Sequence, residues 1–200
     1  MSIVQPTPPL ARGEEMRNKI LDATIDSLID VGYARSSTWE ICKRAEISRG
    51  AFLHHFPTRI KLFSAAITRL AQGPLDQLDA GLAVRTGTEA VSLFLEWLWK
   101  TLDGPLFAVG LELLAAARTE PELQSVLRAG GDQLAAKLDE IARSIAKSAG
   151  GDNHAALETM LLMSIPMVRG VGLDLAVGGK RAEHAARFRD WEATVLRATA

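Results

Sequence analysis

The segment between residues 42 and 61 carries side chains that could bind phosphate. It holds five basic residues against one acidic residue: Lys43, Arg44, Arg49, Arg59 and Lys61 against Glu46. Thr38 and Ser48 stand where two helices are expected to begin, and hydroxyls and free N–H groups at a helix N-terminus favour phosphate. Plain N-capping is the alternative for both hydroxyls. The side chain of Arg49 could reach a guanine edge or a phosphate, or be an ordinary solvated arginine.

Short helices must position these side chains. Ser37 followed three residues later by Glu40 is typical of a capping box and predicts a helix to about Ala45. Ser48 is a good N-cap for a third helix that ends at His55. Apolar residues at three- and four-residue steps predict two flanking helices, from Glu14 to Val31 with Gly32 as C-cap, and from Thr58 to Gln72 with Gly73-Pro74 as terminator.

Two short helices joined by a tight turn and supported by a third have the geometry of a helix-turn-helix, whose second helix can enter the major groove of DNA. The charge distribution agrees. The formal net charge of the chain is −1, but residues 1–72 hold ten basic and seven acidic side chains, whereas residues 73–200 hold thirteen and seventeen. The near-neutral total therefore conceals a basic N-terminal part of charge +3 and an acidic remainder of charge −4.

About 55 residues of this N-terminal part resemble the DNA-binding domain of TetR-family transcriptional regulators. The matching segments are Arg17 with Lys19–Ala23, Gly32-Tyr33, Ser37–Ile41, Ala45–Phe52 and His54–Phe56. The resemblance implies that Ser48–His55 is the recognition helix, with Phe52 and Phe56 packed inward. It also implies DNA contacts from nine residues: Thr38, Ser48, Arg49, Gly50, Leu53, His54, His55, Thr58 and Arg59. Gly50 would let the backbone approach DNA closely, and Arg59 stands where the family usually has a phosphate-binding lysine.

Three positions depart from the family pattern. Glu46 stands where the turn normally has glycine, and a non-glycine residue in a left-handed turn costs about 1 kcal/mol. Leu53 replaces a common tyrosine and removes a phenol that could bind phosphate. Cys42 replaces a common alanine; we expect a buried, inert thiol, with a redox sensor as the alternative. Trp39, the only tryptophan of this part, is expected to pack rather than to function.

Beyond Pro74 the positions of proline and glycine, together with the helical spacing of apolar residues, predict further helices and an all-α fold without strands. The expected helices are Leu75–Val84, Glu89–Leu102, Pro105–Thr119, Pro121–Ala149, Asn153–Val177 and Lys180–Arg197. The resemblance implies that the last two form the interface of a homodimer, which would also supply two recognition helices to a pseudo-palindromic site. Charges and Pro166 interrupt the apolar stretch 155–177, so we expect a buried helix there and no membrane contact.

The expected organisation is a disordered tail at residues 1–13, a helix-turn-helix domain at 14–72 and a helical regulatory and dimerisation domain at 73–200. Aromatic and methionine side chains could line a pocket for a small apolar or aromatic effector, or simply form core. The residues proposed for the pocket are Phe94, Trp97, Phe107, Glu112, Met163 and Met167, with Trp99, Met160, Arg118 and Arg169 as further candidates.

The sequence contains few motifs that would support another class of function. The chain has no phosphate-binding glycine loop, no Gly-x-Ser-x-Gly elbow and no His-Glu-x-x-His, so no catalytic residue and no cofactor are expected. His154 and Glu158 lie one helical turn apart, but two ligands do not make a metal site. A lone cysteine suits a reducing cytoplasm. The expected function is a dimeric repressor of double-stranded operator DNA that a ligand releases; an activator, a helical enzyme and a structural helical dimer are the alternatives.

Overall fold

The computed structural model describes residues 9–199, and every regular element in that range is helical. The α-helices are α1 Pro9–Arg35, α2 Thr38–Arg44, α3 Arg49–His55, α4 Arg59–Leu82, α5 Gly87–Thr101, α6 Pro105–Ala117, α7 Pro121–Ala149, α8 His154–Ala176 and α9 Arg181–Arg197. A short 3-10 helix, Gly151–Asn153, precedes α8. The expected all-α fold is confirmed.

The first helix begins earlier than the sequence pattern indicates. Residues 1–8 of the expected tail lie outside the described part, but residues 9–13 belong to α1, so the expectation of a disordered tail up to residue 13 is wrong. Proline is well tolerated in a first helical turn, where its missing N–H has no intrahelical partner in any case. Pro9 therefore starts α1 without breaking it.

Gly32 interrupts α1 as a C-cap would. Its backbone adopts φ 75° and ψ 175°, a conformation that L side chains rarely adopt. The chain makes one more turn and reaches Ser36, which is fully buried. The Ser36 hydroxyl donates to the Gly32 carbonyl at 2.8 Å and lies 2.9 Å from the Ser27 hydroxyl. These contacts fix the angle at which the chain enters α2.

The fourth helix passes through Gly73-Pro74, where the sequence pattern places its end. Helix α4 runs to Leu82, so the separate helix expected at Leu75–Val84 is the second half of α4. Pro74 removes one backbone donor and its ring crowds the carbonyl four residues earlier, but Leu75, Leu78 and Leu82 pack against the neighbouring core. Burial of these leucines outweighs the loss of one hydrogen bond.

The described residues group into two compact units. The first comprises the chain up to Ala71 together with Ala108–Arg128. Its core includes Ile20, Leu28, Ile41, Phe52, Phe63, Val109, Leu113 and Leu123. The segment 108–128, from the end of α6 and the start of α7, thus packs with the N-terminal helices, a grouping that the expected division after residue 72 does not contain.

The second unit comprises Gln72–Phe107 and Ala129–Ala200. Its core is built from α5, α7, α8, α9 and the end of α4, around Phe94, Leu95, Leu157 and Leu161. Trp191 of α9 donates its indole N–H to the buried Ser164 hydroxyl of α8 at 2.7 Å, which fixes these two helices against each other.

Helix α8 is also the most apolar long helix. By length and composition alone, residues Gly151–Ala176 could cross a membrane. An 18-residue stretch within this range has a mean hydropathy of 1.3, and 28% of that stretch is buried. A core helix of a soluble protein passes the same test. Its core-facing residues Leu157, Leu161 and Val168 are almost fully buried.

Candidate nucleic-acid interface

Serine hydroxyls cap both helices of the helix-turn-helix. The Ser37 hydroxyl accepts from the Glu40 N–H at 3.2 Å, and the Ser48 hydroxyl accepts from the Ala51 N–H at 3.1 Å. The predicted caps are therefore present, although the capping box is only half formed because the Glu40 carboxylate binds Arg44 at 2.8 Å. A capping hydroxyl still has its own proton to donate, so Ser48 can cap α3 and bind a phosphate oxygen at once.

The turn between the two helices carries the strain expected of a non-glycine residue. Glu46 has φ 51°, the one positive φ at a non-glycine residue among the residues described. The Glu46 N–H donates to the Lys43 carbonyl at 3.2 Å and the Ile47 N–H to the Cys42 carbonyl at 3.0 Å. An exposed ion pair joins Glu46 to Lys19 of α1 at 3.5 Å. Backbone hydrogen bonds therefore hold the turn in the left-handed conformation despite the side chain.

Helix α3 has one buried face and one exposed face. Phe52 and Phe56 are 1% and 2% exposed, as expected of residues that lock the helix. On the other face Arg49, Gly50, Leu53 and His54 are exposed, whereas His55 is half-buried. The exposed set can present a cation, an imidazole, an apolar side chain and bare backbone to a DNA groove.

The start of α4 corrects one predicted contact. Thr58 is exposed and caps α4 by accepting from the Lys61 N–H at 3.2 Å. Arg59, expected to bind phosphate, instead turns into the protein: its guanidinium donates to the Tyr33 carbonyl at 2.6 Å and lies 4.1 Å from the Tyr33 ring and 4.7 Å from the Phe63 ring. The two aromatic rings and the Tyr33 carbonyl, which also accepts from the Ser36 N–H at 3.3 Å, hold the guanidinium inside the first unit, so Arg59 is a structural residue here.

Arg44 is engaged in the same way. It binds Asp30 of α1 at 2.6 Å and Glu40 of its own helix at 2.8 Å, and these hydrogen bonds raise its pKa above the ordinary value. The exposed Lys43, Arg49 and Lys61 form no ion pair within the part of the chain that the structure describes. Of the five cations between residues 42 and 61, these three are available to phosphates.

A groove lies between α2 and α3 with a volume of about 710 Å³. Its lining residues are Ser37, Thr38, Trp39, Cys42, Lys43, Glu46, Ile47 and Arg49. Trp39 is 71% exposed, so the expectation that it packs in the core is wrong. Its position on the helix carries a signal that could have shown this: Ile41, Cys42 and Ala45 define the buried face of α2, and Trp39 lies off that face.

Cys42 lines this groove and is 9% exposed. Burial raises the pKa of its thiol, and the charge of Arg49 offsets this only in part. A thiol kept protonated is a weak nucleophile. This environment supports the expectation of an inert thiol.

Tyr33 joins the N-terminal helices to the segment 108–128 of the same unit. Its N–H donates to the Glu112 carboxylate and its hydroxyl to the Glu120 carboxylate, each at 2.6 Å. Burial, and then the hydrogen bond to Glu120, raises the pKa of the phenol from 10.0 to about 12. Glu112 therefore binds the backbone beside Gly32, and its proposed place in an effector pocket is wrong. A side chain at Gly32 would collide with this carboxylate, because an added Cβ would lie 2.5 Å from Oε2.

The other proposed pocket residues all lie in the second unit but do not share one surface. Phe94 is fully buried and stacks on Trp97, with 6.5 Å between ring centroids; the Trp97 indole donates to the Pro74 carbonyl at 2.9 Å. Phe107 covers the backbone of α8 at Gly172, and Met167 is packed against the core. Met163 is 57% exposed, so it does not line a pocket within the described residues of this chain.

Among the further candidates, Trp99 stacks on Phe188 at 4.7 Å and lies under the Arg181 guanidinium. Met160 packs against the core of the second unit. Arg118 and Arg169 are exposed. Within the described residues, no group of three or more His, Cys, Asp or Glu side chains could hold a metal ion.

Helix caps, a tight turn and an exposed basic second helix define a helix-turn-helix protein, and similarity to known proteins gives the family. The family model described as bacterial regulatory proteins, tetR family, matches residues 20–66. An uncharacterised HTH-type transcriptional regulator of Mycobacterium tuberculosis is 34% identical over 135 residues, which are 67% of this chain and 69% of that protein. The HTH-type transcriptional regulator CymR of Pseudomonas putida is 28% identical over 114 residues, 56% of each chain. The chain belongs to the TetR family of transcriptional regulators.

Solved structures show the same fold over nearly the whole chain. A TetR-family regulator from Cytophaga hutchinsonii aligns with a TM-score of 0.73 and 17% identity, covering 94% of this chain and 96% of that one. A transcriptional regulator from Saccharomonospora viridis, solved in complex with choline, aligns with a TM-score of 0.66 and 17% identity, covering 92% and 96%. The similarity of fold thus extends beyond the helix-turn-helix into the second unit.

Proposed function

We propose that this regulator is a cytoplasmic homodimer that represses transcription by binding operator DNA and that a small molecule releases it. The observation that carries the proposal is the exposed face of α3 and its surroundings, where Lys43, Arg49 and Lys61 are exposed and form no ion pair among the described residues, and where Ser48 caps α3. Cations and a helix N-terminus that face solvent together are what a DNA backbone requires.

The proposed dimer interface is an apolar stripe along the outer face of α8. Exposed positions recur at alternating steps of four and three residues, the spacing of a seam that packs against another helix. They are Thr159, Met163, Pro166, Gly170, Leu173 and Val177. Met163, Leu173 and Val177 are 57%, 55% and 84% exposed, and such a patch on a long helix is typical of a subunit interface. The exposed Ala182, Ala186 and Ala193 of α9 would allow close approach of a partner helix.

An effector is proposed for the second unit, where the aromatic pair Phe94 and Trp97 lies next to α4. The choline complex of a protein with this fold supports a small-molecule site. Helix α4 contributes residues to both units, so a ligand that displaces α4 would change the spacing of the two recognition helices of a dimer. A coupling free energy of about 1 to 3 kcal/mol would weaken DNA binding roughly 5- to 150-fold.

The segment 108–128 offers a second route for the same coupling. Glu112 and Glu120 hold Tyr33 at the junction of α1 and α2. A movement of α6 or α7 that withdraws either carboxylate would break its hydrogen bond to Tyr33 and so loosen the end of α1 that precedes the helix-turn-helix. Whether release of DNA represses or activates a gene depends on where the operator lies, and activation is the second candidate role.

The test begins with selection of bound duplexes from a random library, followed by fluorescence anisotropy titration of a selected duplex at several salt concentrations. If Lys43, Arg49 and Lys61 of each protomer all neutralise phosphates, a dimer makes about six phosphate contacts, which predicts a slope of log affinity against log salt of about −5. Arg49→Ala should lower the affinity at least tenfold. The matched control is Arg85→Ala, which removes an exposed arginine of the second unit.

Two results would contradict the proposal. One is an affinity that does not depend on salt. The other is an equal affinity of the wild type and Arg49→Ala for the selected duplex.

A further inference from the structure

Trp39 is the most exposed large aromatic side chain in the first unit, and neither a cap nor a core contact explains it. It is the second residue of α2 and is 71% exposed. The Lys43 ammonium lies over its ring, 5.4 Å from the ring centroid. An exposed tryptophan is unfavourable, because burial of an aromatic side chain in an interface contributes one of the largest favourable free energies of binding.

The surroundings of Trp39 indicate what it would meet. It shares the groove between α2 and α3 with Arg49, the first residue of the recognition helix. The N-terminal residues of a recognition helix are those that contact base edges in the major groove. A side chain in the same groove as Arg49 therefore lies beside base edges when α3 enters DNA.

The charges of the groove argue against a purely phosphate-binding role for this position. Lys43 and Arg49 favour DNA, but the Glu46 carboxylate also lines the groove and its side chain is 83% exposed. A carboxylate repels the phosphate backbone, whereas it is compatible with the base edges further inside. The indole itself has one N–H donor and is otherwise apolar.

We propose that Trp39 is a specificity-determining residue that packs its indole ring against the C5-methyl group of a thymine in the operator. The inference rests on the proposed DNA-binding function and names a base that the site selects. The thymine methyl is the apolar group that a base pair presents in the major groove, so an apolar side chain directed there discriminates thymine from the other bases.

The experiment uses the full-length protein and a duplex selected by the wild type from a random library. At each selected thymine in one half-site, uracil replaces thymine and so removes the methyl group alone. At the position that Trp39 reads, this replacement should weaken wild-type binding about fourfold, the equivalent of one buried methyl group. Trp39→Ala should weaken binding to the thymine duplex by about 10- to 100-fold and should bind the uracil and thymine duplexes equally.

Two further variants separate the contact from folding and from general apolar surface. Trp39→Phe keeps an apolar aromatic ring and should retain the preference for thymine over uracil. Ile29→Ala removes an exposed apolar side chain of α1 that is 50% exposed and does not line the groove, and it should bind like the wild type. Far-ultraviolet circular dichroism melts check that each variant is folded.

The outcomes distinguish the inference from the function on which it rests. If the wild type binds no duplex in a salt-dependent manner, the DNA-binding proposal itself fails. If the wild type binds a selected duplex, the inference alone fails when Trp39→Ala binds as tightly as the wild type, or when both lose the same factor on the change to uracil. The first of these results would assign Trp39 to a partner other than DNA, and the second would assign it to the sugar-phosphate backbone.

Discussion

Removal of the Tyr33 hydroxyl tests the hydrogen bond that joins α1 to the segment 108–128. In Tyr33→Phe the ring still packs on Phe63 and under Arg59, but the 2.6 Å bond to the Glu120 carboxylate is lost. A hydrogen bond to a charged group contributes about 1.5 to 3 kcal/mol. Tyr33 is 5% exposed, whereas Glu120 is half-buried and can regain water. We therefore expect the lower end, a loss of about 1.5 kcal/mol in the free energy of unfolding.

Urea denaturation followed by far-ultraviolet circular dichroism measures this loss, and a double-mutant cycle with Glu120→Gln isolates the pairwise term. Glu122→Gln, which neutralises an exposed carboxylate two residues further along the chain, is the matched control. Additive effects of Tyr33→Phe and Glu120→Gln would refute the reasoning, because independent sites do not share a hydrogen bond.

Titration of the phenol gives a second readout, since Tyr33 is the only tyrosine of the chain. Tyrosinate absorbance should appear with a midpoint near pH 12 in the folded protein, because burial and then the bond to Glu120 raise the pKa from 10.0 to about 12. The neutral phenol is thus favoured by folding. This contribution, on the order of 3 kcal/mol, is fully present below pH 10 and is lost as the pH rises from about 10 to about 12. A folded-state midpoint near pH 10 would mean that the phenol is solvated and unpaired.

Three other substitutions test separate parts of the structure. Arg59→Lys keeps the charge but loses the planar contact with Tyr33, so urea denaturation should show a loss of about 1 kcal/mol in the free energy of unfolding. If Arg59 served only to bind DNA phosphate, the substitution would leave this free energy unchanged. Gly172→Ala should lower the melting temperature, by an amount equivalent to about 1 to 3 kcal/mol, because the added Cβ would overlap the Phe107 ring; unchanged melting would place the ring elsewhere. Leu173→Glu should convert the proposed dimer to a monomer in analytical ultracentrifugation, since it places a charge in the apolar stripe of α8, and an intact dimer would move the interface away from that stripe.

Local patterns in the sequence predicted the helix-turn-helix well because its signals are short-range. The caps of Ser37 and Ser48 and the left-handed conformation of Glu46 each depend on a few neighbouring residues. The helix boundaries at Pro105 and Pro121 were predictable for the same reason, since proline favours a first helical turn.

The errors arose where distant residues decide the outcome. Gly73-Pro74 is a strong local stop signal, but leucines further along α4 gain more by packing than the lost hydrogen bond costs. Glu112 was proposed for a pocket, yet its carboxylate accepts from the backbone N–H of Tyr33, 79 residues away in sequence. Neither the packing of these leucines nor the bond from Tyr33 to Glu112 is visible in a local pattern, because sequence spacing does not encode tertiary contacts.

The basic charge of the N-terminal part is another feature that sequence counting describes only in part, because the count does not show which cations are paired within the fold. A count of side chains treats all cations alike, but the structure divides them into two groups. Arg44, Arg59 and Arg69 hold helices together through Asp30, the Tyr33 carbonyl and Asp22. Such cations are committed to the fold and release few counterions from DNA, since their partners must first be displaced. The salt dependence of DNA binding should therefore follow the free cations and not the net charge. Arginines at the helix junctions explain instead how so small a domain holds its two short helices in one geometry.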